Sequence, residues 1–288
     1  MEAFMLLPLL SLLCPLLLAG AAYGQSAGRA TRPPAVEMAA LGALAVAAVS
    51  VVAVILGFGG TSVLLGFAGV GLSVRLDAVS ATMLLLVAFI GWVVLRFSLT
   101  YTLGEPRREV FLRRICLTLA AVMLLVTAGN LVQLAVAWIL LGLSVRQCLL
   151  FYPDRVPAQR AARKKLISSA ISSLALIAAV ILLARGYGTT DIATILAAAR
   201  DGVAPAALPW AAGLIAVAAL LKSAQVPAHG WLTEVMEAPT PVSALLHAGV
   251  VNAGGFLLIR FADVMLLAPG ALAALVMVGG FSALSAGS

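Results

Sequence analysis

A lysine closing a long uncharged run, two helix breaks and a histidine beyond them are the residues whose types and spacing could do chemistry in this chain. Lys222 follows the uncharged stretch Ala211 to Leu221, Pro227 breaks the chain five residues later, Pro239 and Pro241 break it again, and His247 lies on the next apolar helix. An amine held away from water exchanges protons near neutral pH, and an imidazole titrates in the same range and relays them. A bilayer tolerates such groups only where they line a path enclosed by protein, and backbone groups freed at a proline need polar partners or water. The chemistry implied is ion translocation. Plainer readings stand beside it: Lys222 snorkelling from a helix end to the interface, and His247 hydrogen-bonded to a neighbouring carbonyl.

Other polar residues extend the pattern. Thr240, Ser243 and His247 fall at i, i+3 and i+7 and make one polar stripe on an otherwise apolar helix. Lys164, Ser168 and Ser172 form one i, i+4, i+8 row, and Lys165, Ser169 and Ser173 form the row beside it. The serines either hold a water file leading inward from the lysines or serve as small residues in helix packing, with the lysines as orientation signals. Glu234 and Glu237 sit between the two breaks. There they pair with Lys222, guard the mouth of a path, or remain solvated. His229 lies in the break and reads as an exposed loop histidine.

The elements that position these residues are membrane helices. The chain is 63% hydrophobic and 10% charged, far outside the soluble range. Apolar stretches of bilayer length recur, and the short alternating segments of a barrel are absent. The fold class expected is an all-α polytopic membrane protein with about nine spans, near 3–22, 36–58, 78–98, 111–129, 131–151, 164–184, 207–225, 240–261 and 267–286. The Gly-rich segment 59–77, with Arg75 and Asp77, reads as a loop with a short interfacial piece. The first apolar run lacks a positive n-region and carries Glu2, so it reads as a retained span rather than a signal peptide.

With the N-terminus outside, the loops after spans 1, 3 and 5 face inward and hold most cations, from Arg29 and Arg32 through Arg107 and Arg108 to Lys164 and Lys165. The opposite loops hold Arg75, Arg185, Arg200 and Arg260. The positive-inside rule selects that orientation. The net charge of +7 is spread over loops rather than gathered in a basic domain, so nucleic acid is excluded as a partner. Cys14, Cys116 and Cys148 stand singly in apolar runs with no metal-ligand spacing and read as packing residues. The chain carries no zinc site, Rossmann glycine motif or haem-ligand pair, so no cofactor and no catalysis of its own is expected. It stops at Gly287-Ser288 beside an apolar run, which reads as a piece of a longer protein.

The run Lys222-Ser223-Ala224-Gln225-Val226-Pro227, then Trp231-Leu232, then Pro239-Thr240-Pro241-Val242-Ser243-Ala244-Leu245-Leu246-His247-Ala248 closely resembles the antiporter-like subunits of respiratory complex I, Mrp antiporters and membrane-bound hydrogenases. Weaker resemblance covers most of the chain from about Leu76, with Leu76-Asp77 before one span and Gly129-Asn130-Leu131 opening another. It implies a repeated five-helix unit with a broken helix and a chain of ion-exchanging lysines and histidines. By motif match Lys222 takes the broken-helix lysine, His247 the following histidine and Lys164 the lysine on span 6. The implied divisions are N-terminal helices over 1–110, one antiporter-like unit over 111–262, and the start of a second over 263–288. Two departures stand out. Ile139 follows Trp138 where complex I subunits carry a glutamate, and Ala170, Ser172 and Ser173 replace their Arg, Gly and Asp on the sixth helix.

The stretch His229-Gly230-Trp231-Leu232-Thr233-Glu234-Val235-Met236-Glu237-Ala238-Pro239, with Gly249 to Gly255 and Phe256 beyond, is similar to the DabB-type membrane subunits of inorganic-carbon accumulation complexes. That resemblance implies a DabA-like partner related to zinc-dependent carbonic anhydrases. Flow of H⁺ or Na⁺ through the membrane subunit would drive CO₂ hydration to bicarbonate in that partner, at a bacterial inner membrane. The alternatives are a proton-translocating subunit of a complex I-like quinone oxidoreductase or Mrp antiporter, and a structural anchor whose ion path has decayed.

Overall fold

Short polar residues at the heads of apolar runs set where three of the helices begin. Asp77 accepts from the Ser80 N–H at 2.9 Å while Ser80 Oγ accepts from the Asp77 N–H at 2.9 Å. This reciprocal box satisfies two donors that a helix start otherwise orphans. Asn130 and Asp191 each cap a helix alone, accepting from the N–H of Gln133 and Thr194 at 2.8 Å. The longest helix stops at Gly188, whose φ of 70° is the left-handed cap that glycine adopts without a steric cost.

The computed structural model describes residues 7–24, 33–67, 70–226, 228–232 and 238–287. Expectations that rest on Arg29, Arg32, Pro227, Glu234 and Glu237 fall outside the described residues. A 3₁₀ turn, Leu7–Leu12, leads into α1 (Leu13–Gly24), followed by α2 (Pro33–Ile55). Strands β1 (Gly60–Thr61), β2 (Leu65–Phe67), β3 (Val70–Leu72) and β4 (Arg75–Leu76) come next. Then follow α3 (Ala78–Tyr101), α4 (Arg108–Val126), α5 (Leu131–Leu149), α6 (Val156–Tyr187), α7 (Ile192–Arg200) and α8 (Leu208–Lys222). A 3₁₀ turn, Ala228–Trp231, separates α8 from α9 (Thr240–Leu245), which runs through a π turn (Leu246–Val250) into α10 (Asn252–Arg260). Helices α11 (Ala262–Leu266) and α12 (Pro269–Gly287) complete the described chain.

Each expected span overlaps helical structure. Among the described residues four helices are long and apolar enough to cross a membrane, over Ala35–Ile55, Ala78–Tyr101, Leu131–Leu149 and Val156–Tyr187. The expectation of a loop over 59–77 is corrected: β1 pairs with β4 and β2 with β3, both antiparallel. These ribbons are held from outside their own sequence, by Ser73 N–H donating to Gln133 Oε1 at 2.9 Å and Asn130 Nδ2 donating to the Gly71 carbonyl at 2.9 Å. The sixth expected span begins eight residues early, because Pro157 supplies the fixed φ that suits a first turn. At 32 residues α6 is about 48 Å long, more than the roughly 30 Å hydrocarbon core. The amphipathic α7 falls where no span is expected.

Helix α6 packs between α5 and α8, α4 packs on α1, α3 and α5, and α10 packs on α8. Lipid offers helices no hydrophobic drive to associate, so close approach depends on small residues. A Cβ at Gly91 of α3 would lie 2.8 Å from the Leu119 side chain of α4. One at Gly254 of α10 would lie 2.5 Å from the Ala219 carbonyl of α8. Glu37 of α2 forms an ion pair with Arg96 of α3, tying those two helices near one end.

Candidate functional site

Where α5, α6 and α8 meet, small residues leave room for long ones. Gly142 of α5 faces Ser169 of α6 closely enough that an added Cβ would lie 3.2 Å from the serine Cβ and 3.9 Å from Lys222 Nζ. Lys222, the last residue of α8, fills that space and is 1% exposed. Its Nζ donates to the Trp138 carbonyl of α5 at 3.1 Å and lies 4.4 Å from the centroid of the Trp138 ring. Trp138 is held in turn: its Nε1 donates to Ser172 Oγ of α6 at 3.0 Å, and Ser172 Oγ donates to the Ala218 carbonyl of α8 at 2.9 Å. One hydrogen-bond chain thus links all three helices and aims the lysine. Ser168 Oγ donates to the Leu221 carbonyl at 3.2 Å, fixing the helix end that carries Lys222.

A second lysine shares this interior. Lys165 of α6 is fully buried, with Nζ 3.6 Å from the centroid of the Trp231 ring in the 3₁₀ turn. The electron-rich face of an indole attracts an ammonium, most strongly when both are desolvated. Among the described residues Lys165 Nζ, Ser169 Oγ and Trp231 Nε1 are buried without a hydrogen-bond partner. The charges of Lys165 and Lys222 repel one another, and among the described residues neither forms an ion pair. Burying an unpaired charge costs several kcal/mol, of order. Two aromatic faces and one carbonyl offset part of that cost, and the arrangement therefore suits amines that take up and release a proton rather than a fixed ion pair.

The sequence-derived candidates divide. Lys222, Lys165 and Ser168 come together in the bundle, with Ser169 and Ser172. Lys164, assigned to span 6 by resemblance, is exposed, and Lys165 occupies the interior instead. The cause is rotation by about 100° per residue, which puts adjacent lysines on different helix faces. His247 is exposed on the π turn and Ser243 is half-buried, so their stripe does not enter the lysine pocket. His229 is exposed, as expected for a residue in the break. Trp138 and Trp231 stand in the sequence only as positions of the family motif, with no function assigned to either. The lysines they hold lie far from them along the chain, so no local signal pairs ring with amine.

A second polar group lies near the start of α3. Arg260, at the end of α10 and 4% exposed, forms an ion pair with Asp77 at 2.5 Å, and Arg75 Nε lies 2.8 Å from the same carboxylate. Burial pushes the Asp77 carboxyl up. The hydrogen bond and charge of Arg260, the Ser80 N–H and Arg75 outweigh it and hold the group well below the usual carboxylate range. Arg75 and Arg260, expected as loop cations, are tied to Asp77, which joins β4, α3 and α10.

Residues 128–288, which contain both buried lysines and His247, match the family model described as NADH:quinone oxidoreductase/Mrp antiporter, TM. Residues 65–112 match the N-terminal model of complex I chain 5. A probable inorganic carbon transporter subunit DabB of Hydrogenovibrio crunogenus is 41% identical over 211 residues, which are 73% of this chain and 41% of the relative. The NADH-quinone oxidoreductase subunit L of Mycobacterium tuberculosis is 35% identical over 212 residues, 73% of this chain and 33% of that one. The chain therefore spans about two fifths or less of the length of these relatives. The Mrp complex of Dietzia sp. DQ12-45-1b superposes with a TM-score of 0.73 at 27% identity, covering 91% of this chain and 28% of that one. With the family model covering more than half of the chain and these relatives matching it over nearly three quarters, the chain belongs to the transmembrane subunit family shared by NADH:quinone oxidoreductases and Mrp antiporters, and inorganic-carbon transporter subunits are among its relatives.

Proposed function

We propose that this chain forms part of a cation-conducting subunit that couples an ion gradient to inorganic-carbon accumulation by a partner protein. The observation that carries the reading is the buried pair Lys165 and Lys222, held by two tryptophans without a carboxylate among the described residues. A proton can occupy either amine, and mutual repulsion disfavours a proton on both at once. Loading one site therefore favours release from the other, as one step of a proton relay requires. H⁺ is the ion that amines carry in this way, while Na⁺ would need oxygen ligands.

In this reading the chain crosses a bacterial inner membrane about nine times with its N-terminus outside, and α8 with the turn beyond it forms a broken transmembrane helix. Residues 111–262 form one antiporter-like unit and 263–288 open a second. His247, and Glu234 and Glu237 in the segment before it, extend the path toward that second unit. A DabA-like zinc protein performs the hydration, because likeness to DabB subunits is accompanied here by no zinc-ligand spacing in the sequence. The match to complex I subunits favours a second reading, proton translocation within a quinone oxidoreductase or Mrp-type assembly.

Expression of the full-length protein with its partner in cells lacking carbonic anhydrases tests the first reading. Growth in ambient air should be restored, and an uncoupler should stop bicarbonate accumulation. Accumulation that persists in uncoupled cells would refute coupling. Co-purification with quinone-reducing subunits would establish the second reading instead.

A further inference from the structure

On the outer face of the bundle, α1, α4 and α5 leave an apolar groove of about 520 Å³ between them. Leu16, Leu117, Ala121, Leu124, Leu140 and Leu143 line it. At one end it passes into a small polar pocket that shares Tyr23, Leu117 and Gln147 with it and adds Arg113. The adjacent arginines of α4 have separate tasks. Arg114 donates to the Gln147 carbonyl at 2.6 Å and the Leu150 carbonyl at 3.2 Å, fastening α4 to the end of α5. Arg113 lines the pocket, and among the described residues it has no hydrogen-bond or ion-pair partner; Glu109, one turn earlier, makes no ion pair with it. Arg107 and Arg113 both act on Arg114 as like charges, so this end of the groove is positive.

An apolar channel ending at a cation has the polarity of a lipid. From Arg113 to Leu124 is 11 residues of helix, about 16 Å at 1.5 Å per residue, close to the half of a roughly 30 Å hydrocarbon core that one leaflet supplies. Basic pockets between membrane helices bind anionic headgroups. We propose that this groove seats a phospholipid with an anionic headgroup, one acyl chain lying along α1, α4 and α5 and the phosphate against Arg113 and the Gln147 amide.

The test uses the full-length protein, purified in mild detergent, stripped of lipid and titrated with phosphatidylglycerol or phosphatidylcholine. Native mass spectrometry reads bound lipid and a thermal melt reads Tm. Phosphatidylglycerol should bind more tightly and raise Tm. Arg113→Gln should weaken phosphatidylglycerol binding about fivefold, the effect of one basic residue near an anionic headgroup, and leave phosphatidylcholine binding unchanged. Leu140→Trp, at an exposed position, fills the groove without disturbing the core and should weaken both lipids. Equal affinity for the two lipids, or unchanged affinity in both variants, would overturn the proposal. So would an equal rise in Tm with inorganic phosphate alone, which would make the site a simple anion pocket. A cross-link from Leu140→Cys to another protein chain, with no lipid bound to the unmodified protein, would assign the groove to a protein partner and overturn it as well.

Discussion

Replacing Lys222 by methionine separates its chemistry from its place in the packing. Methionine keeps most of the buried volume, so the cavity cost of about 2–5 kcal/mol expected for Lys222→Ala is avoided. The substitution loses the hydrogen bond to the Trp138 carbonyl, of order 1.5–3 kcal/mol, and the contact with the Trp138 ring, about 2 kcal/mol when desolvated. It also removes an unpaired buried charge, which costs several kcal/mol, and relieves the repulsion from Lys165. These contributions nearly cancel, so stability should stay within about 2 kcal/mol of the parent. That is about 4–8 °C in Tm at the usual slope for a chain of this size. Uncoupler-sensitive bicarbonate accumulation should nevertheless fall to background, because a thioether carries no proton. Lys222→Arg should also fail, since a guanidinium stays charged. The assay pairs a thermal melt in detergent with labelled bicarbonate uptake in cells lacking carbonic anhydrases. Parent-level uptake in a well-expressed Lys222→Met protein would refute the proton-exchange role. A loss of Tm far beyond 8 °C would show that the lysine is chiefly structural.

The neighbouring lysines should respond unequally. Lys165→Met should abolish uptake while Lys164→Met leaves it near normal, and equal losses would contradict the burial that distinguishes them. His247→Gln keeps a polar side chain that cannot carry a proton, so assembly should be normal and uptake strongly reduced; parent-like uptake would make His247 structural. The depressed Asp77 carboxyl contributes stability that is present above its unfolded value of about pH 4 and is lost as pH falls toward the folded one. Asp77→Asn should therefore flatten the acid limb of a Tm–pH profile. It should also cost about 3 kcal/mol at neutral pH, the low end for stranding a buried partner such as Arg260, since Asp77 itself is partly exposed. An unchanged profile would dismiss the cluster as a stabilising device.

The sequence by itself determined the class of the molecule and the positions of its long helices. Composition and run length are local properties, and a bilayer enforces helices wherever twenty apolar residues occur. The run from Lys222 to His247 likewise disclosed the family, because its residue order survives without knowledge of what each side chain touches. Which lysine of the pair on α6 turns inward was a different matter. The rows Lys164-Ser168-Ser172 and Lys165-Ser169-Ser173 look equivalent on paper. The buried face instead runs through Lys165, Ser168, Ser169 and Ser172, crossing between them, and leaves Lys164 exposed. That face is set by where α5 and α8 press on α6, which involves residues more than 25 positions away. The tryptophans are decided the same way: Trp138 and Trp231 become lysine-holding groups only because separate helices bring a ring to each ammonium. The ribbons over residues 60–76 depend on Asn130 and Gln133 at the head of α5. Strands of two or three residues have too little local preference to form unaided, and partners distant in sequence supply the hydrogen bonds that hold them.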